Sequence, residues 1–317
     1  MAVAFTFPGQ GSQAVGMGKE LADAFPEARR IFQEVDDALG ENLSRLIWEG
    51  PEETLMLTAN AQPALMAVSL AAIRALESRG LSLKDKVAYV AGHSLGEYSA
   101  LAAAGFVSVA DAARLLRIRG NAMQAAVPAG EGAMAAIIGL EQADVEAACA
   151  EAAKGSANGA VCQIANDNGG GQLVISGAKA AVELAAKLCT EKGAKRALML
   201  QVSAPFHSAL MAPAANVMGE ALAGVTKNAP VVPVISNVTV SPTSDPDEIA
   251  LRLVEQITGR VRWRETVEWF GANGVTTLYE IGAGKVLSGL ARRINRDIAT
   301  ASVSSAAEVE AAVAALG

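Results

Sequence analysis

One short segment restricts the fold more than any other, because an apolar run passes through a glycine-rich turn directly into an alanine-rich stretch. Residues 87–91 predict a buried strand, the pentapeptide at 92–96 is Gly-His-Ser-Leu-Gly, and residues 97–104 predict a helix. The pattern G-x-S-x-G between a strand and a helix is typical of the nucleophile elbow, although the five residues alone would also fit a plain tight turn. We therefore expect a parallel sheet with a nucleophile at Ser94, facing the N-terminus of a helix.

Strands alternate with helices on both sides of this turn. The apolar runs predict further strands at residues 3–7, 231–235 and 276–281, and helices at 62–78, 110–126, 208–223, 265–270 and 285–294. This alternation indicates a parallel sheet that is covered by helices on both faces.

The middle of the chain has a different order of elements. Strands are predicted at 133–139, 161–165, 173–176 and 196–201, and helices at 141–153 and 178–192. The order β-α-β-β-α-β is that of the ferredoxin-like unit. We expect an α/β fold in which an α/β-hydrolase-like domain, residues 1–127 and 202–317, carries an inserted ferredoxin-like domain at 128–201.

Composition excludes several classes of protein. The 317 residues are 51% hydrophobic, which suffices for the cores of two domains, and the net charge of −7 argues against a general nucleic-acid or anionic-membrane binder. Residues 198–219 contain no Asp, Glu, Lys or Arg, but the prolines and polar residues among them predict a cleft wall and not a membrane span. The cysteines, 3 in number and without a CxxC pair, favour a reducing, cytoplasmic compartment.

A serine hydroxyl needs a base within hydrogen-bond distance to act as a nucleophile. The chain has 2 histidines, and His93 adjoins Ser94 inside the turn, where neighbouring side chains diverge. If the base is a histidine, it is therefore His207, which lies in the predicted cleft wall. No acidic partner for His207 stands out among the 33 acidic residues.

The loop after the first predicted strand has two interpretations. Gly9, Gly11 and Ala14 satisfy the dinucleotide fingerprint G-x-G-x-x-A, but residues 26–39 predict a helix where the fingerprint requires a second strand with an acidic end. In the other interpretation the loop turns its N–H groups towards an anion. Together with the N–H of Leu95, it would then complete an oxyanion hole.

Five segments of the sequence, taken together, resemble a known family. They are residues 7–13 (Phe-Pro-Gly-Gln-Gly-Ser-Gln), 92–97, 119–124, 204–208 (Ala-Pro-Phe-His-Ser) and 282–287. In order and spacing the chain resembles the malonyl-CoA:acyl carrier protein transacylases of fatty acid synthesis over essentially its whole length. The same core recurs in the acyltransferase domains of polyketide and animal fatty acid synthases.

The resemblance implies roles for the central residues. Ser94 would carry the acyl group and His207 would be its base. The main-chain N–H groups of Gln10 and Leu95 would form the oxyanion hole. Arg119 would bind the free carboxylate of malonate, for which a planar guanidinium is suited.

The resemblance also implies roles around this centre. The main-chain carbonyl of Gln256 would orient the histidine in place of a carboxylate, and Asn166 and Asn168 would help to form the cleft. Phe206 would favour malonyl over methylmalonyl groups. The sequence has Ala283 where family members have a proline, a difference that affects a turn and not the chemistry.

The implied substrates are malonyl-CoA and an acyl carrier protein, with no metal and no bound cofactor. Since carriers are acidic, Lys195 and Arg196 are candidates for their docking, unless these residues only cap a helix. The alternatives are a serine esterase or thioesterase on the same turn, an NAD-dependent oxidoreductase on the N-terminal loop, and a non-catalytic binding module.

Overall fold

The computed structural model describes residues 2–156, 160–202 and 204–317. Its strands are β1 (Ala2–Phe7), β2 (Tyr89–Gly92), β3 (Gly132–Ile138), β4 (Cys162–Asp167), β5 (Gln172–Ala178), β6 (Arg196–Met199), β7 (Val234–Ile235), β8 (Pro242–Thr243), β9 (Val275–Ile281) and β10 (Ala299–Val303).

Six helices precede the elbow in the sequence, the seventh begins directly after Ser94, and the others follow in chain order. They are α1 (Lys19–Ala24), α2 (Pro26–Leu39), α3 (Leu43–Glu49), α4 (Glu52–Met56), α5 (Thr58–Ser78), α6 (Leu83–Lys86), α7 (Leu95–Ala103), α8 (Val109–Ala125), α9 (Gln142–Gly155), α10 (Lys179–Glu191), α11 (Ala212–Ala223), α12 (Pro246–Thr258), α13 (Trp263–Ala272), α14 (Val286–Ile294) and α15 (Ala306–Leu316). A short 3-10 turn, Ala209–Met211, precedes α11.

The larger sheet has the strand order β10-β9-β1-β2-β7-β8. Neighbouring strands pair in parallel, except that β7 and β8 are antiparallel. Successive side chains of a strand point to opposite faces, so Phe5 and Val90 pack into one hydrophobic core while Ala4 and Ala91 pack into the other. Helices cover both faces, as the sequence predicts, and β2 ends at the elbow in the middle of this sheet.

The smaller sheet is antiparallel and has the order β4-β5-β3-β6. Helices α9 and α10 pack on it around a separate core that includes Ile137, Val145, Ile175 and Val182. A mixed α/β fold, with one sheet that contains parallel strands and a second antiparallel sheet, is thus confirmed.

Several predicted elements differ from the structure in their bounds. Strand β6 ends at Met199 and not at 201, although the Leu200 N–H still donates to the Met134 carbonyl at 2.9 Å. Only the last two residues of the predicted strand 231–235 pair as β7, and the predicted helix 208–223 begins as a 3-10 turn. The predicted elements do not include helices α1, α3, α4, α6, α12 and α15 or strands β8 and β10. Helix α12 nevertheless has a sequence signal, because Asp245 caps it and Pro246 occupies its first position.

None of the helices in the described ranges combines the length and the apolar character that crossing a membrane requires.

Candidate active site

The turn between β2 and α7 has the geometry of a nucleophile elbow. Ser94 adopts the strained dihedrals φ 54° and ψ −110°. A Cβ atom on Gly92 would lie 1.9 Å from the carbonyl carbon of Gly96, and one on Gly96 would lie 2.2 Å from the carbonyl oxygen of Phe7. Both glycines are therefore required by close backbone approach, as the sequence pattern predicts.

His207 lies directly against the serine. Its Nε2 is 2.7 Å from Ser94 Oγ, and its Nδ1 is 2.9 Å from the main-chain oxygen of Gln256 and 3.1 Å from that of Gly259. Because carbonyl oxygens only accept, Nδ1 carries the proton and Nε2 is left to accept one from the serine. The structure thus pairs the predicted base with main-chain carbonyls in place of an acid.

The environment keeps His207 neutral. Burial lowers the pKa of His207 to about 3, and the positive charge of Arg119 acts in the same direction. The other histidine, His93, turns its Nε2 to Asn168 Oδ1 at 2.9 Å. Burial lowers the pKa of His93 as well.

Arg119 is 1% exposed on α8 and points at Ser94. Its Nη2 donates to Ser94 Oγ at 3.1 Å and to Gln256 Oε1 at 2.8 Å, and its Nη1 donates to Gln62 Oε1 at 2.8 Å. These three acceptors are uncharged, and the guanidinium lies next to the Ser94 hydroxyl. Arg114 and Arg117 of the same helix form surface ion pairs instead.

A cavity of about 300 Å³ opens in front of Ser94. The predicted residues Gln10, Leu95, Asn166 and Phe206 line it, together with Leu200, Gln201 and Val202 from the predicted cleft wall. The structure places Asn168 beside His93, where it supports the elbow instead of lining the cavity.

The N-terminal loop lies against the elbow, and Ala14, the third position of the fingerprint, begins no helix. A Cβ atom on Gly9 would come within 2.7 Å of the carbonyl oxygen of His93, and α1 begins only at Lys19. This arrangement departs from the dinucleotide fingerprint, in which the loop leads directly into a helix. Gln10 and Leu95 instead lie on the same cavity as Ser94, and Leu95 is the first residue of α7, where a helical N–H has no acceptor in its own helix.

Two residues missed by the sequence analysis connect Gln10 with Arg119. Thr58 donates its hydroxyl to Gln10 Oε1 at 2.9 Å, and Gln62 Nε2 donates to Thr58 Oγ1 at 2.9 Å while its Oε1 accepts from Arg119. Both are buried polar residues of helix α5, most of whose residues are apolar. That contrast is the signal by which they could have been found.

Asn237 and Glu97, which the sequence analysis also missed, stabilise the elbow through hydrogen bonds. Asn237 Oδ1 accepts from the Ser94 N–H at 2.8 Å, and its Nδ2 donates to the Gly92 carbonyl at 2.7 Å. Glu97 Oε2 accepts from the Asn237 N–H at 3.2 Å. No local pattern marks Asn237, which follows the two-residue strand β7.

Lys195 and Arg196 lie at the exposed start of β6, the outer strand of the smaller sheet. The exposed apolar side chains of Leu198 and Met199 follow them, and the next residue, Leu200, lines the cavity. The two charges therefore lie on a surface strand that leads to the cavity mouth. Within the described part of the chain, no group of at least 3 His, Cys, Asp or Glu residues is arranged to hold a metal ion.

The chain is similar to known proteins over almost its whole length. Residues 4–309 match the model of the acyl transferase domain, and the chain belongs to this family. The malonyl CoA-acyl carrier protein transacylase of Bacillus subtilis (strain 168) is 49% identical over 311 residues, which cover 98% of this chain and 96% of that protein.

Solved structures of similar proteins share the whole fold. The acyl-carrier-protein S-malonyltransferase from Bartonella henselae superposes with a TM-score of 0.97 at 64% identity, covering 100% of both chains. A malonyl-transacylase in complex with its type II PKS acyl-carrier protein superposes with a TM-score of 0.95 at 44% identity, covering 99% of this chain and 100% of that one.

Proposed function

We propose that this protein transfers a malonyl group from malonyl-CoA to the phosphopantetheine thiol of an acyl carrier protein, for fatty acid synthesis. The names of its relatives support this reaction. The observation that carries it is the position of Arg119 Nη2, 3.1 Å from Ser94 Oγ. An acyl group that ends in a carboxylate would place that carboxylate on the guanidinium and its thioester carbonyl beside the hydroxyl.

In the first half-reaction, Ser94 Oγ attacks the thioester carbonyl while its proton passes to His207 Nε2. The N–H groups of Gln10 and Leu95 stabilise the negative oxygen of the tetrahedral intermediate. The carbon–sulfur bond then breaks, and His207 returns the proton to the departing CoA thiolate. A malonyl ester on Ser94 remains.

The second half-reaction reverses these steps with the carrier. His207 takes the proton of the phosphopantetheine thiol, the sulfur attacks the ester carbonyl, and the proton returns to Ser94 Oγ. Exchange between thioester and ester changes no oxidation state, and this chain's own side chains supply the proton transfers. No metal or bound cofactor therefore enters the proposal.

The remaining assignments extend the same proposal. Arg119 selects the malonyl carboxylate, Gln256 orients His207, Asn166 shapes the cavity and Asn168 steadies the elbow. The Phe206 ring, which lines the cavity, disfavours an α-methyl branch.

Lys195 and Arg196 attract an acidic carrier to the rim. Because the chain itself carries a net charge of −7, docking of such a carrier requires a local basic patch.

We also assign a finer architecture to the two sheets. An α/β-hydrolase-like domain would comprise residues 1–127 and 202–317, with a ferredoxin-like domain at 128–201. The strand–elbow–helix unit supports the first and the order β3-α9-β4-β5-α10-β6 the second. These ranges include Met1, 157–159 and Ser203, which lie outside the described residues.

The free cysteines support a cytoplasmic location.

The experiment that tests the function is the intact mass of the protein after mixing with malonyl-CoA. We expect one malonyl group on the wild type and none on a folded Ser94→Ala variant. Addition of a carrier protein should then move the group to the carrier thiol. Release of free malonate in its place would identify a thioesterase, and an adduct on the Ala variant would remove Ser94 from the mechanism.

A further inference from the structure

Glu97 is a buried carboxylate immediately behind the nucleophile. It is the third residue of α7 and is 2% exposed. Its Oε2 accepts from Gln256 Nε2 at 2.7 Å and from the Asn237 N–H at 3.2 Å. A carboxylate at the third position of a helix commonly bonds back to the residue that caps the helix. Glu97 instead points across to α12.

Its partner Gln256 contacts Ser94, His207 and Arg119, three of the residues that the proposed reaction uses. The main-chain oxygen of Gln256 holds His207, its side-chain oxygen accepts from Arg119, and its Nε2 donates to the Ser94 carbonyl at 3.0 Å. The position of Arg119 therefore depends on which way the Gln256 amide faces.

The hydrogen bonds determine that orientation. On its nitrogen side, Gln256 faces only acceptors, namely Glu97 Oε2, the Ser94 carbonyl and, at 3.3 Å, Asn237 Oδ1. On its oxygen side it faces the N–H of Arg119. A flipped amide would set oxygen against the Glu97 carboxylate and N–H against the guanidinium, which leaves buried polar groups unpaired.

We propose that Glu97 is a positioning residue for malonyl transfer: it fixes the side-chain amide of Gln256, which in turn aims Arg119 at the acyl carboxylate. The inference rests on the proposed function, since it assigns Arg119 to the malonyl carboxylate. Glu97 is not itself in contact with the reacting atoms, and it acts through Gln256.

The proposal requires an acceptor oxygen at position 97 and not a charge. Burial raises the pKa of Glu97 to about 7, against the hydrogen bonds from Gln256 and Asn237 and the charge of Arg119. The charged or titratable neighbours are Arg119 on α8 and Tyr98 on the same helix. A protonated carboxyl still presents its carbonyl oxygen to Gln256, so the amide keeps its orientation on both sides of this pKa.

The test compares three substitutions by the rate of Ser94 acylation, followed by quenched flow and intact mass. Glu97→Gln preserves shape and acceptor and should stay within about threefold of the wild type. Glu97→Met removes the acceptor and should slow malonyl transfer about thirtyfold, equivalent to about 2 kcal/mol. Glu97→Asp keeps the charge but withdraws the oxygen by about 1.5 Å, one carbon–carbon bond, and should behave like Met.

The readout specific to positioning is the ratio of malonyl to acetyl transfer. Acetyl-CoA has no carboxylate for Arg119, so Glu97→Met should lower this ratio, whereas general loosening would slow both acyl groups alike. The matched control is Glu280→Met, another fully buried glutamate, whose carboxylate accepts from the Leu287 and Ser288 N–H groups at 3.0 and 2.7 Å. It should lose stability and keep the ratio.

Two results would overturn the role of Glu97. One is a folded Glu97→Met with the wild-type ratio, and the other is a Glu97→Gln as slow as Glu97→Met, which would show that the charge matters. If Glu97→Met fails to fold, the malonyl-to-acetyl ratio of Glu97→Asp is compared with that of Glu97→Gln. Equal ratios would then overturn the role of Glu97. Failure of the proposed function itself would appear separately, as a wild type that forms no adduct.

Discussion

The two partners of the Ser94–His207 pair are held in place by different means. Ser94 is placed mainly by its immediate neighbours, because β2, the two glycines and α7 follow one another in the sequence around its strained backbone. Phe7 of the adjacent strand and Asn237 complete the turn. His207 comes from 113 residues further along and is held by carbonyl oxygens at the end of α12. The position of Ser94 is thus sensitive to side-chain size in its own turn, whereas that of His207 depends on the backbone of a remote helix.

The largest effect is expected in the elbow. Gly96→Ala would place a Cβ 2.2 Å from the Phe7 carbonyl oxygen, so we expect it to destabilise the protein by more than about 4 kcal/mol or to prevent folding. Gly289→Ala in α14 is the control, since a Cβ there meets nothing within 4 Å and should stabilise by up to about 1 kcal/mol. Urea unfolding measures both, and equal stabilities would mean that the elbow tolerates side chains.

The next effect concerns Arg119, which contacts the hydroxyl of Ser94. Arg119→Ala should raise the activation free energy of Ser94 acylation by malonyl-CoA by about 2–5 kcal/mol, the usual cost of removing one partner of a desolvated charge pair. Acylation by acetyl-CoA should slow much less. Parallel rate measurements check this, and equal losses for both substrates would make Arg119 structural.

The pH dependence tests the environment of the base. With its pKa lowered to about 3, His207 stays neutral at pH 5, and acylation by malonyl-CoA should change little between pH 7.5 and 5. For a base with the ordinary pKa of 6.5, the fraction in the neutral form would fall about thirtyfold between pH 7.5 and pH 5. The free energy of unfolding should also depend on pH, because His207 binds a proton more readily in the unfolded chain, where its pKa is 6.5. The full stability is present above pH 6.5, and part of it is lost as the pH falls towards 3. A thirtyfold drop in rate would show that His207 is solvated.

A smaller effect is expected at the residue before the base. Phe206→Ser should narrow the preference for malonyl-CoA over methylmalonyl-CoA, since crowding a methyl group typically costs about 1–3 kcal/mol. Competition between the two thioesters for Ser94, read by mass, measures the preference. Equal use of both by the wild type would contradict the steric role of Phe206.

The smallest effect is expected on the surface, away from both Ser94 and His207. Reversal of Lys195 and Arg196 to Glu should slow transfer to the carrier about tenfold at low salt, with less effect as salt screens these exposed charges. Acylation by malonyl-CoA should stay the same because the carrier takes no part in it. Unchanged carrier kinetics would place docking elsewhere.

Much of the site was predictable because its residue types are few and its motif is local. The strand, glycines and helix around Ser94 follow from neighbouring residues, and the count of 2 histidines left His207 as the histidine predicted to act as the base. The polar residues Thr58, Gln62 and Glu97 were missed, since each lies in a helix where a polar residue is usually taken to face solvent. Helix α12 was missed despite its capping signal, and Gln256 entered only through the resemblance.

The sequence by itself determined the strand–turn–helix order of the elbow, because that order is contained within residues 87–104. The contacts of Phe7 and Asn237 that complete the turn come from distant segments. Only the tertiary structure decided which groups meet there. The Gln256 side chain reaches the Ser94 carbonyl across 162 residues, and Arg119 turns inward from a helix whose other arginines pair at the surface. The physical reason is that a hydrogen bond between distant segments leaves no periodic trace in either segment, and it forms only when packing removes the water that would otherwise satisfy the same atoms.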